Sequence, residues 1–577
     1  MTYQGFAIAL IAAGVLTACQ SKEIERTEAE VAPAETAQEE TAALDSITVT
    51  GSTSLNRVRQ TPQFSGLTSA DVAGVPAPPP PPPSPLLQAE PVDRERFEDV
   101  EINPVKLVSE EPVSTFSIDV DTASYAVARR YLNDGVLPPT DAIRIEELIN
   151  YFDYTYPRPE EDGHPFATHV TVTPSPWAEG RDLIHIGVQG YDLVPEERPP
   201  LNLTLLVDVS GSMNSPDKLP LARNALKLLV DQMDENDTIS IVVYASAAGT
   251  VLEPTPGNEK TRILGALDNL SAGGSTAGGE GLRRAYALAE QSFIEDGVNR
   301  IMMVTDGDFN VGITQDERLE DFVTRKRESG VYLSVMGFGR GNYNDQLMQT
   351  IAQAGNGTAG YIDTLAEARK WMDDDLSSNL FPIADDVKIQ VEFNPAAVAE
   401  YRLIGYETRI LNREDFNNDQ VDAGDIGAGA SVTAIYEITP VGSDARQIDP
   451  SRYATAEPAI GITEELAFLK LRYKRPGEDD STLVTEPIMA TARLASLRDA
   501  NGTVRFSTAV AAYGQMLRTD PYMSDSFGWD EIIGLANSAK GPDEFGYRAE
   551  FVQLARSART AAAQATLETG SSGEGAG

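Results

Sequence analysis

The sequence predicts an α/β fold, doubly wound, in which a mostly parallel sheet carries helices on both faces. Between residues 200 and 380, short and almost continuous apolar runs alternate with longer amphipathic segments. Strands that are apolar along their whole length are buried on both faces, as in parallel sheets. The runs that lead into Asp208 and Asp306 both end in a carboxylate. Such sheets bind their ligands beyond the carboxyl ends of the strands.

The alternation assigns the elements of this central region, which we place at residues 200–380. The candidate strands are residues 202–208, 238–244, 301–306, 332–337 and 360–363. Amphipathic segments, with apolar residues every three or four positions, are typical of surface helices. The candidate helices are residues 218–233, 261–270, 279–293, 317–329 and 345–354.

Both flanks of the central region contain strand-like patterns. On the N-terminal side we expect an α+β domain at residues 96–199, with strands at 114–120, 169–173 and 183–188 and helices at 122–133 and 143–152. On the C-terminal side we expect a β-rich domain at residues 381–566, with strands at 387–393, 432–438, 466–473 and 483–488 and terminal helices at 506–517 and 544–563. Residues 567–577 are expected to be a disordered tail. Since strand-like segments lie on both sides, the two flanks are candidates for pairing into one sandwich.

The N-terminus has the pattern of a bacterial lipoprotein signal peptide. Residues 1–18 are apolar and end in Leu16-Thr17-Ala18, directly before Cys19, although no Lys or Arg lies in residues 1–6. This pattern predicts cleavage before Cys19 and lipid modification of its thiol. Cys19 is the single cysteine of the chain, so the sequence contains no cysteine pair for an internal disulfide. Gln20 rather than Asp follows it, which favours sorting to the outer membrane.

Residues 19–95 are rich in Glu, Ala and Thr and contain an unbroken proline run at Pro78–Pro83. Such a composition buries too little apolar surface to fold, so we expect a disordered, acidic and Pro-rich tether. The formal charge of the whole chain is −42 and its pI about 4.4. This charge argues against binding of nucleic acid or anionic lipid through a basic surface. No second apolar run is long enough to span a membrane, which leaves the N-terminal lipid as the predicted membrane attachment.

The turn after the first central strand has the spacing D-x-S-x-S, with Asp208, Ser210 and Ser212. A glycine-rich loop that contains Thr276 leads into a later helix, and Asp306 ends a second buried strand. Carboxylate and hydroxyl oxygens are hard ligands, and Mg²⁺ binds such ligands while it keeps open positions for water or for a partner. The spacing therefore predicts a divalent-cation site at this edge of the sheet.

These motifs resemble the metal-ion-dependent adhesion site (MIDAS) of von Willebrand factor A domains. The resemblance implies that Ser210, Ser212 and Thr276 bind Mg²⁺ (or Mn²⁺ or Ca²⁺) directly, and that Asp208 and Asp306 act mainly through coordinated water. It also implies that an Asp or Glu of a partner protein completes the metal shell. The loop residues expected at the rim of the site are Phe309, Asn310, Asn342 and Tyr343.

The order of the segments also resembles a group of bacterial A-domain lipoproteins from Gram-negative species. The segments that carry this resemblance are residues 116–125 and 421–429, and it covers roughly residues 95–565. It implies this order of domains and a location in the cell envelope, but little about function. We expect no enzymatic activity.

Two other functions compete with metal-dependent adhesion. In a structural envelope protein, the site would be vestigial or capped, for example by the acidic loop at residues 415–425. A hydrolase is the least favoured alternative, because the S-x-x-K spacing at residues 215–218 occurs without the K-T-G and S-D-N segments of serine acyl-transferases. Two further acidic motifs have simpler interpretations: Asp119 and Asp121 as helix caps, and the D-x-N-x-D at residues 415–419 as a solvated loop.

Overall fold

The computed structural model describes residues 95–160, 163–194, 198–275, 278–307, 316–449 and 464–573. The predicted signal peptide, Cys19 and the tether up to residue 94 lie outside the described residues, as do Thr276, Phe309 and Asn310. All the described residues belong to one compact unit, Leu87–Gly577.

Strands and helices are numbered separately in chain order. The strands of the described residues are β1 (Lys106–Leu107), β2 (Val113–Ser117), β3 (Phe166–Pro174), β4 (Asp182–Gly190), β5 (Leu201–Asp208), β6 (Thr238–Tyr244), β7 (Ala248–Pro256), β8 (Val298–Thr305), β9 (Val331–Phe338), β10 (Ala359–Ile362), β11 (Pro382–Phe393), β12 (Val398–Ile404), β13 (Gly424–Gly427), β14 (Ser431–Pro440), β15 (Glu465–Lys474) and β16 (Thr482–Met489). The α-helices are α1 (Ala123–Asn133), α2 (Ile145–Asn150), α3 (Leu219–Gln232), α4 (Lys260–Asp268), α5 (Gly278–Gln291), α6 (Asp316–Arg327), α7 (Asp345–Ala354), α8 (Leu365–Arg369), α9 (Leu376–Leu380), α10 (Gly502–Leu517), α11 (Trp529–Ala539) and α12 (Tyr547–Gly573). A π-helical turn, Lys370–Asp374, joins α8 to α9.

The central sheet is six-stranded, with the order β10-β9-β8-β5-β6-β7. All neighbours are parallel except β7, which pairs antiparallel with β6 at the edge. On β5, Leu205 and Val207 pack into the core with α3, whereas Leu206 packs into the core with α5. The helices therefore cover both faces, and the predicted doubly wound fold is confirmed.

Strands from the two flanks of the central region form two further sheets. One has the order β1-β12-β14-β4-β3, and the other has the order β13-β11-β15-β16, with β2 paired to β11. The sheets contact each other through aromatic pairs, including Phe393 with Tyr436 at 5.3 Å and Phe166 with Tyr473 at 4.9 Å between ring centroids. The flanks thus pair into one sandwich, and the segments expected as separate domains at 96–199 and 381–566 share both of its sheets.

A helical layer packs against this sandwich. Helices α1, α2, α10, α11 and α12 share one apolar core, in which the rings of Phe152, Phe506 and Phe551 contact one another at 5.0 to 5.7 Å. Helix α12 continues to Gly573, so the expectation of a disordered tail from residue 567 is wrong as far as residue 573. Residues 561–568 are mostly Ala, Gln, Leu and Glu, which are strong helix formers and extend the helix beyond its packed part. Within the described part of the chain, no helix combines the length and apolarity needed to cross a bilayer.

A buried carboxyl group lies where α2 meets the sandwich. The side chain of Glu146 is inaccessible to solvent, and its Oε2 accepts the N–H of Tyr406 at 2.8 Å. Its Oε1 has no hydrogen-bond partner among the described residues. Burial, together with the nearby charges of Glu407 and Asp119, raises the pKa of Glu146 to about 8. The folded state therefore favours the neutral acid. The protonated Glu146 contributes fully to the unfolding free energy below the unfolded-state pKa of about 4.3, and this contribution is lost as the pH rises towards 8.

We expect Glu146→Gln to remove this pH dependence, because the amide has no charged form. Relative to the variant, the wild-type protein should lose unfolding free energy between pH 5 and pH 8, as measured by urea unfolding at several pH values. The exposed Glu544→Gln serves as the matched control and should follow the wild-type profile. Parallel profiles for wild type and Glu146→Gln would contradict the assignment.

Candidate metal centre

The turn after β5 places two hydroxyl groups side by side. Asp208 ends the strand, and its Oδ1 accepts the N–H of Ser210 at 2.7 Å. A 3₁₀ turn at Gly211–Asn214 follows, and the hydroxyl oxygens of Ser210 and Ser212 lie 2.9 Å apart. Ser210 is buried and Ser212 is partly exposed, so the second hydroxyl lies closer to solvent than the first. The hydrogen bond from Ser210 holds the turn closed around the carboxylate.

The carboxylate of Asp208 is buried, and its two oxygens differ in their surroundings. Oδ2 accepts no hydrogen bond of normal geometry from the described residues. Burial raises the pKa of Asp208 to about 7, and the charge of Asp306 adds to this effect, while hydrogen bonds from Ser210 and from the side chain of Tyr244 oppose it. A buried carboxylate that is only partly hydrogen-bonded loses part of its hydration uncompensated, so Oδ2 can accept a further donor or a cation.

Asp306 directly follows β8 and comes close to Asp208 because β5 and β8 are adjacent parallel strands. Its Oδ2 accepts a hydrogen bond from Nζ of Lys218 at 2.8 Å, and Nδ2 of Asn342 lies 3.5 Å from the same oxygen. The Lys218 side chain is 7% exposed and that of Asp306 is fully buried. Lys218 is thus a residue of the site that sequence reasoning missed.

The stem of Lys218 lies against the backbone of Gly339. A Cβ atom at position 339 would collide with the Lys218 side chain, and Gly339 has a φ of +77°, which only glycine adopts readily. The sequence signal for this contact is the glycine-rich segment at residues 337–341, which precedes the loop next to Asp306.

Residues 339–345, here called the site loop, pack directly on the residue after Asp306. A Cβ at Gly307 would lie 2.5 Å from the carbonyl oxygen of Asn342, so the glycine permits this close approach. Asn342 is partly exposed, and its place at the rim of the site stays a prediction. Tyr343 is fully buried and its hydroxyl donates to Asp345 Oδ1 at 3.0 Å, so its predicted rim position is wrong. Local sequence does not reveal which loop side chains turn inward.

The glycine-rich loop is attached to the D-x-S-x-S turn by its backbone. The N–H of Gly273 donates to the carbonyl of Val209 at 2.8 Å, and the N–H of Gly211 donates to the carbonyl of Gly274 at 2.9 Å. Residues 273–275 are exposed, so the D-x-S-x-S turn faces solvent where this loop is bonded to it. Thr276, the predicted ligand of this loop, follows directly but lies outside the described residues, as do the rim residues Phe309 and Asn310.

The described donor set consists of two carboxylates and two hydroxyls, all hard oxygens, which fits Mg²⁺, Mn²⁺ or Ca²⁺. The described residues contain no group of three or more His, Cys, Asp or Glu side chains arranged to hold a metal ion. A site built from hydroxyls and two aspartates is therefore the candidate that the described chain offers.

The acidic loop at residues 415–425 does not cap this site. Asp415 bonds to Asn412, the carboxylate of Asp419 accepts from Ser481, and Asp422 pairs with Arg327. These partners are neighbours in the sandwich or at the end of α6, so the carboxylates are engaged away from the candidate centre.

Two other predicted motifs have different partners from those expected. In the S-x-x-K segment, Ser215 donates to Asp217 while Lys218 bonds to Asp306, so the serine and lysine do not form a nucleophile–base pair. Asp119 and Asp121 are not helix caps, since both pair with the buried Arg409 at 3.0 and 3.1 Å. The N-cap residue of α1, Thr122, makes no side-chain capping hydrogen bond.

The parallel sheet and the turn at its carboxyl edge define a von Willebrand factor A domain. Residues 202–373 match the family "von Willebrand factor type A domain". The flanks match two further families: residues 91–185 match "von Willebrand factor", and residues 378–561 match "Uncharacterized protein YfbK, C-terminal". Domains of the A type commonly bind a divalent metal and mediate protein–protein interactions.

The chain belongs to the same family as the protein YfbK. It is 47% identical to "Uncharacterized protein YfbK" of Escherichia coli (strain K12) over 467 residues, which are 80% of each chain. It is also 26% identical to inter-alpha-trypsin inhibitor heavy chain H3 of Mesocricetus auratus over 270 residues, 43% of this chain and 29% of that protein. Among solved structures it is similar to a von Willebrand factor type A protein from Catenulispora acidiphila, with 17% identity, 66% and 88% coverage of the two chains and a TM-score of 0.38.

We expect Lys218→Met to destabilise the metal-free protein, because it leaves Asp306 buried without its cation. Removal of one partner from a buried ion pair costs about 3–5 kcal/mol of unfolding free energy, measurable by urea unfolding in EDTA. Lys227→Met, which breaks the partly exposed pair with Asp268, is the control and should cost less than about 1 kcal/mol.

Adding Asp306→Asn to Lys218→Met should restore part of the lost stability, because the amide is neutral. Equal losses of unfolding free energy for the Lys218 and Lys227 variants would show that the buried pair contributes no more to stability than the partly exposed pair. A double variant less stable than Lys218→Met would assign the loss to packing of the lysine stem instead.

Proposed function

We propose that the A domain binds a divalent cation, Mg²⁺ in the first place and otherwise Mn²⁺ or Ca²⁺, and through it an acidic residue of a partner protein. The ligands would be Ser210, Ser212 and Thr276, with Asp208 and Asp306 acting through water. The observation that carries the proposal is the buried Oδ2 of Asp208, which makes no hydrogen bond of normal geometry with the described residues and lies in the same turn as two adjacent hydroxyls. The bound cation would supply the positive charge that attracts an Asp or Glu of the partner.

The charge of the chain makes the metal a condition for this interaction. With a formal charge of −42, the protein repels an acidic partner at long range. Salt screens this repulsion beyond about 10 Å, so the contact itself decides the affinity. At the contact, Lys218 already compensates the charge of Asp306, whereas the hydrogen-bond donors to Asp208, Ser210 and Tyr244, are uncharged. A divalent cation therefore brings a net positive charge to a centre that is otherwise close to neutral or negative.

We further propose that the protein is a lipoprotein of the cell envelope, anchored through Cys19 to the outer membrane of a Gram-negative bacterium. The support is the sequence of residues 1–19, with an apolar segment that ends in Leu16-Thr17-Ala18-Cys19. The acidic, Pro-rich residues that follow would connect this anchor to the folded unit. Labelling cells with a fatty-acid analogue tests the anchor, and loss of the label in Cys19→Ala would support it.

A structural envelope protein with a vestigial metal site is the second candidate, and the Lys218–Asp306 pair favours it. An internal ammonium group bonded to a predicted ligand supplies charge compensation without any metal. In this alternative, the centre would stabilise the fold and bind no partner. A metal titration separates the two candidates.

We expect Mg²⁺ or Mn²⁺ to raise the melting temperature of the metal-stripped full-length protein. A ligand at 100 times its Kd adds about 2.7 kcal/mol of unfolding free energy, which differential scanning fluorimetry detects easily. Asp208→Ala should abolish the rise. Asp217→Ala, in the next turn of the chain and bonded to Ser215, is the matched control and should keep the rise.

The absence of a metal-dependent rise in the wild-type protein would sink the adhesion-site proposal and favour the structural alternative. A rise of the same size in Asp208→Ala would place the metal elsewhere. With the rise established, capture of an envelope protein in Mg²⁺ but not in EDTA, lost in Asp208→Ala, tests the partner.

A further inference from the structure

Residues Glu95–Phe97, here called the clasp, run alongside the site loop. The N–H of Arg96 donates to the carbonyl of Tyr343 at 3.0 Å, and the N–H of Asp345 donates to the carbonyl of Arg96 at 3.1 Å. These bonds pair Arg96 in parallel with Asn344, as a further strand would. The ring of Phe97 lies 6.3 Å from that of Tyr343. The clasp is therefore bonded to the loop by its backbone and packed on it by a side chain.

The carboxylate of Glu95 fixes the first half of the site loop. It is 5% exposed, and its Oε1 accepts the N–H of Gly341 at 2.9 Å. Arg130 binds both carboxylate oxygens, so Glu95 is held by α1 as well as by the loop. Arg130 also donates to the hydroxyl of Tyr361 at 2.6 Å, and this hydroxyl donates to the carbonyl of Gly339 at 3.0 Å. Glu95 and Arg130 together thus hold two backbone positions of the loop.

The site loop in turn contacts the predicted metal ligands. Its Asn342 backbone packs on Gly307, next to Asp306, and its Gly339 backbone packs on the stem of Lys218. Lys218 and Asn342 also both contact Oδ2 of Asp306, at 2.8 and 3.5 Å. A displacement of the loop would therefore change the position of Asp306 and of its counter-ion together.

We propose that the clasp is a positioning element that sets the affinity of the metal centre by holding the site loop against Asp306. The inference rests on the proposed metal binding and adds its regulation. The clasp continues directly from the residues predicted to connect the lipid anchor to the folded unit. Release of residues 95–97 from the loop, for example by a pull on that connection, would loosen the centre and weaken the binding of metal and of the acidic ligand.

Two variants of the full-length protein test the clasp in different ways. Glu95→Gln keeps the size of the side chain but removes the charge that Arg130 binds. Arg96→Pro removes the N–H that bonds to the carbonyl of Tyr343. Because the side chain at position 96 is exposed, the substitution disturbs no buried packing there. Glu98→Gln, an exposed acidic position just beyond the clasp, is the matched control.

The first readout is amide hydrogen exchange in EDTA, which needs no metal binding. Both variants should raise the exchange of residues 339–345 and leave that of β15 unchanged, whereas Glu98→Gln should change neither. The second readout is Mn²⁺ affinity by calorimetry. Both variants should weaken it by at least about fivefold, the lower end of typical coupling between sites.

The outcomes separate this inference from the metal proposal. Unchanged exchange of the site loop in both variants would overturn the clasp, whatever the metal affinity is. Faster exchange with unchanged Mn²⁺ affinity would overturn its coupling to the centre. Absence of Mn²⁺ binding in the wild-type protein would instead be a failure of the proposed function, and the exchange experiment would still decide whether the clasp holds the loop.

Discussion

Buried arginines are the constraint on which the rest of the structure depends. Arg129 on α1 pairs with Asp363 and Glu367 of the A domain, and Arg144 before α2 pairs with Asp345 at the start of α7. All these side chains are at most 7% exposed. A buried charge that loses its partner costs several kcal/mol, so the α1–α2 segment and the A domain cannot separate without a large penalty. The A domain is therefore built into its surroundings rather than attached to them.

Only some parts of the fold could be predicted from the sequence, namely those that local patterns determine. The parallel strands were predictable because each is apolar along its length and ends at a turn. The edge strand β7 was missed because its burial alternates only weakly, and β12 and α11 were missed as well. The pairing of β14 with β4 joins residues that are far apart in the chain, and local periodicity does not encode such a pairing. The strand-like patterns on both flanks suggested that the flanks pair, but these patterns do not determine which strands are neighbours or in which register they pair.

The same limit applies to the candidate centre. Asp208, Ser210 and Asp306 come together because adjacent parallel strands end at one edge, and their spacing made this predictable. Lys218 was not predictable as a partner, because it lies 88 residues from Asp306 and reaches it only through the orientation of the turn before α3. The burial of Tyr343 depends likewise on how the site loop folds back. Polar residues on strand ends are thus easier to place than those that reach the site from loops.

Helix α1 binds two neighbouring segments at the carboxyl edge of the A-domain sheet through two consecutive residues. Arg129 binds the segment that leads into α8, while Arg130 binds Glu95 and, through Tyr361, the site loop. Because α1 also packs into the aromatic core of the helical layer, neither arginine can move far without disturbing that core. Movement at the metal centre is therefore restricted to chain segments that α1 does not hold in place. Residues 273–275 are exposed, whereas the site loop is held at Gly341 by Glu95 and at Gly339 by Tyr361.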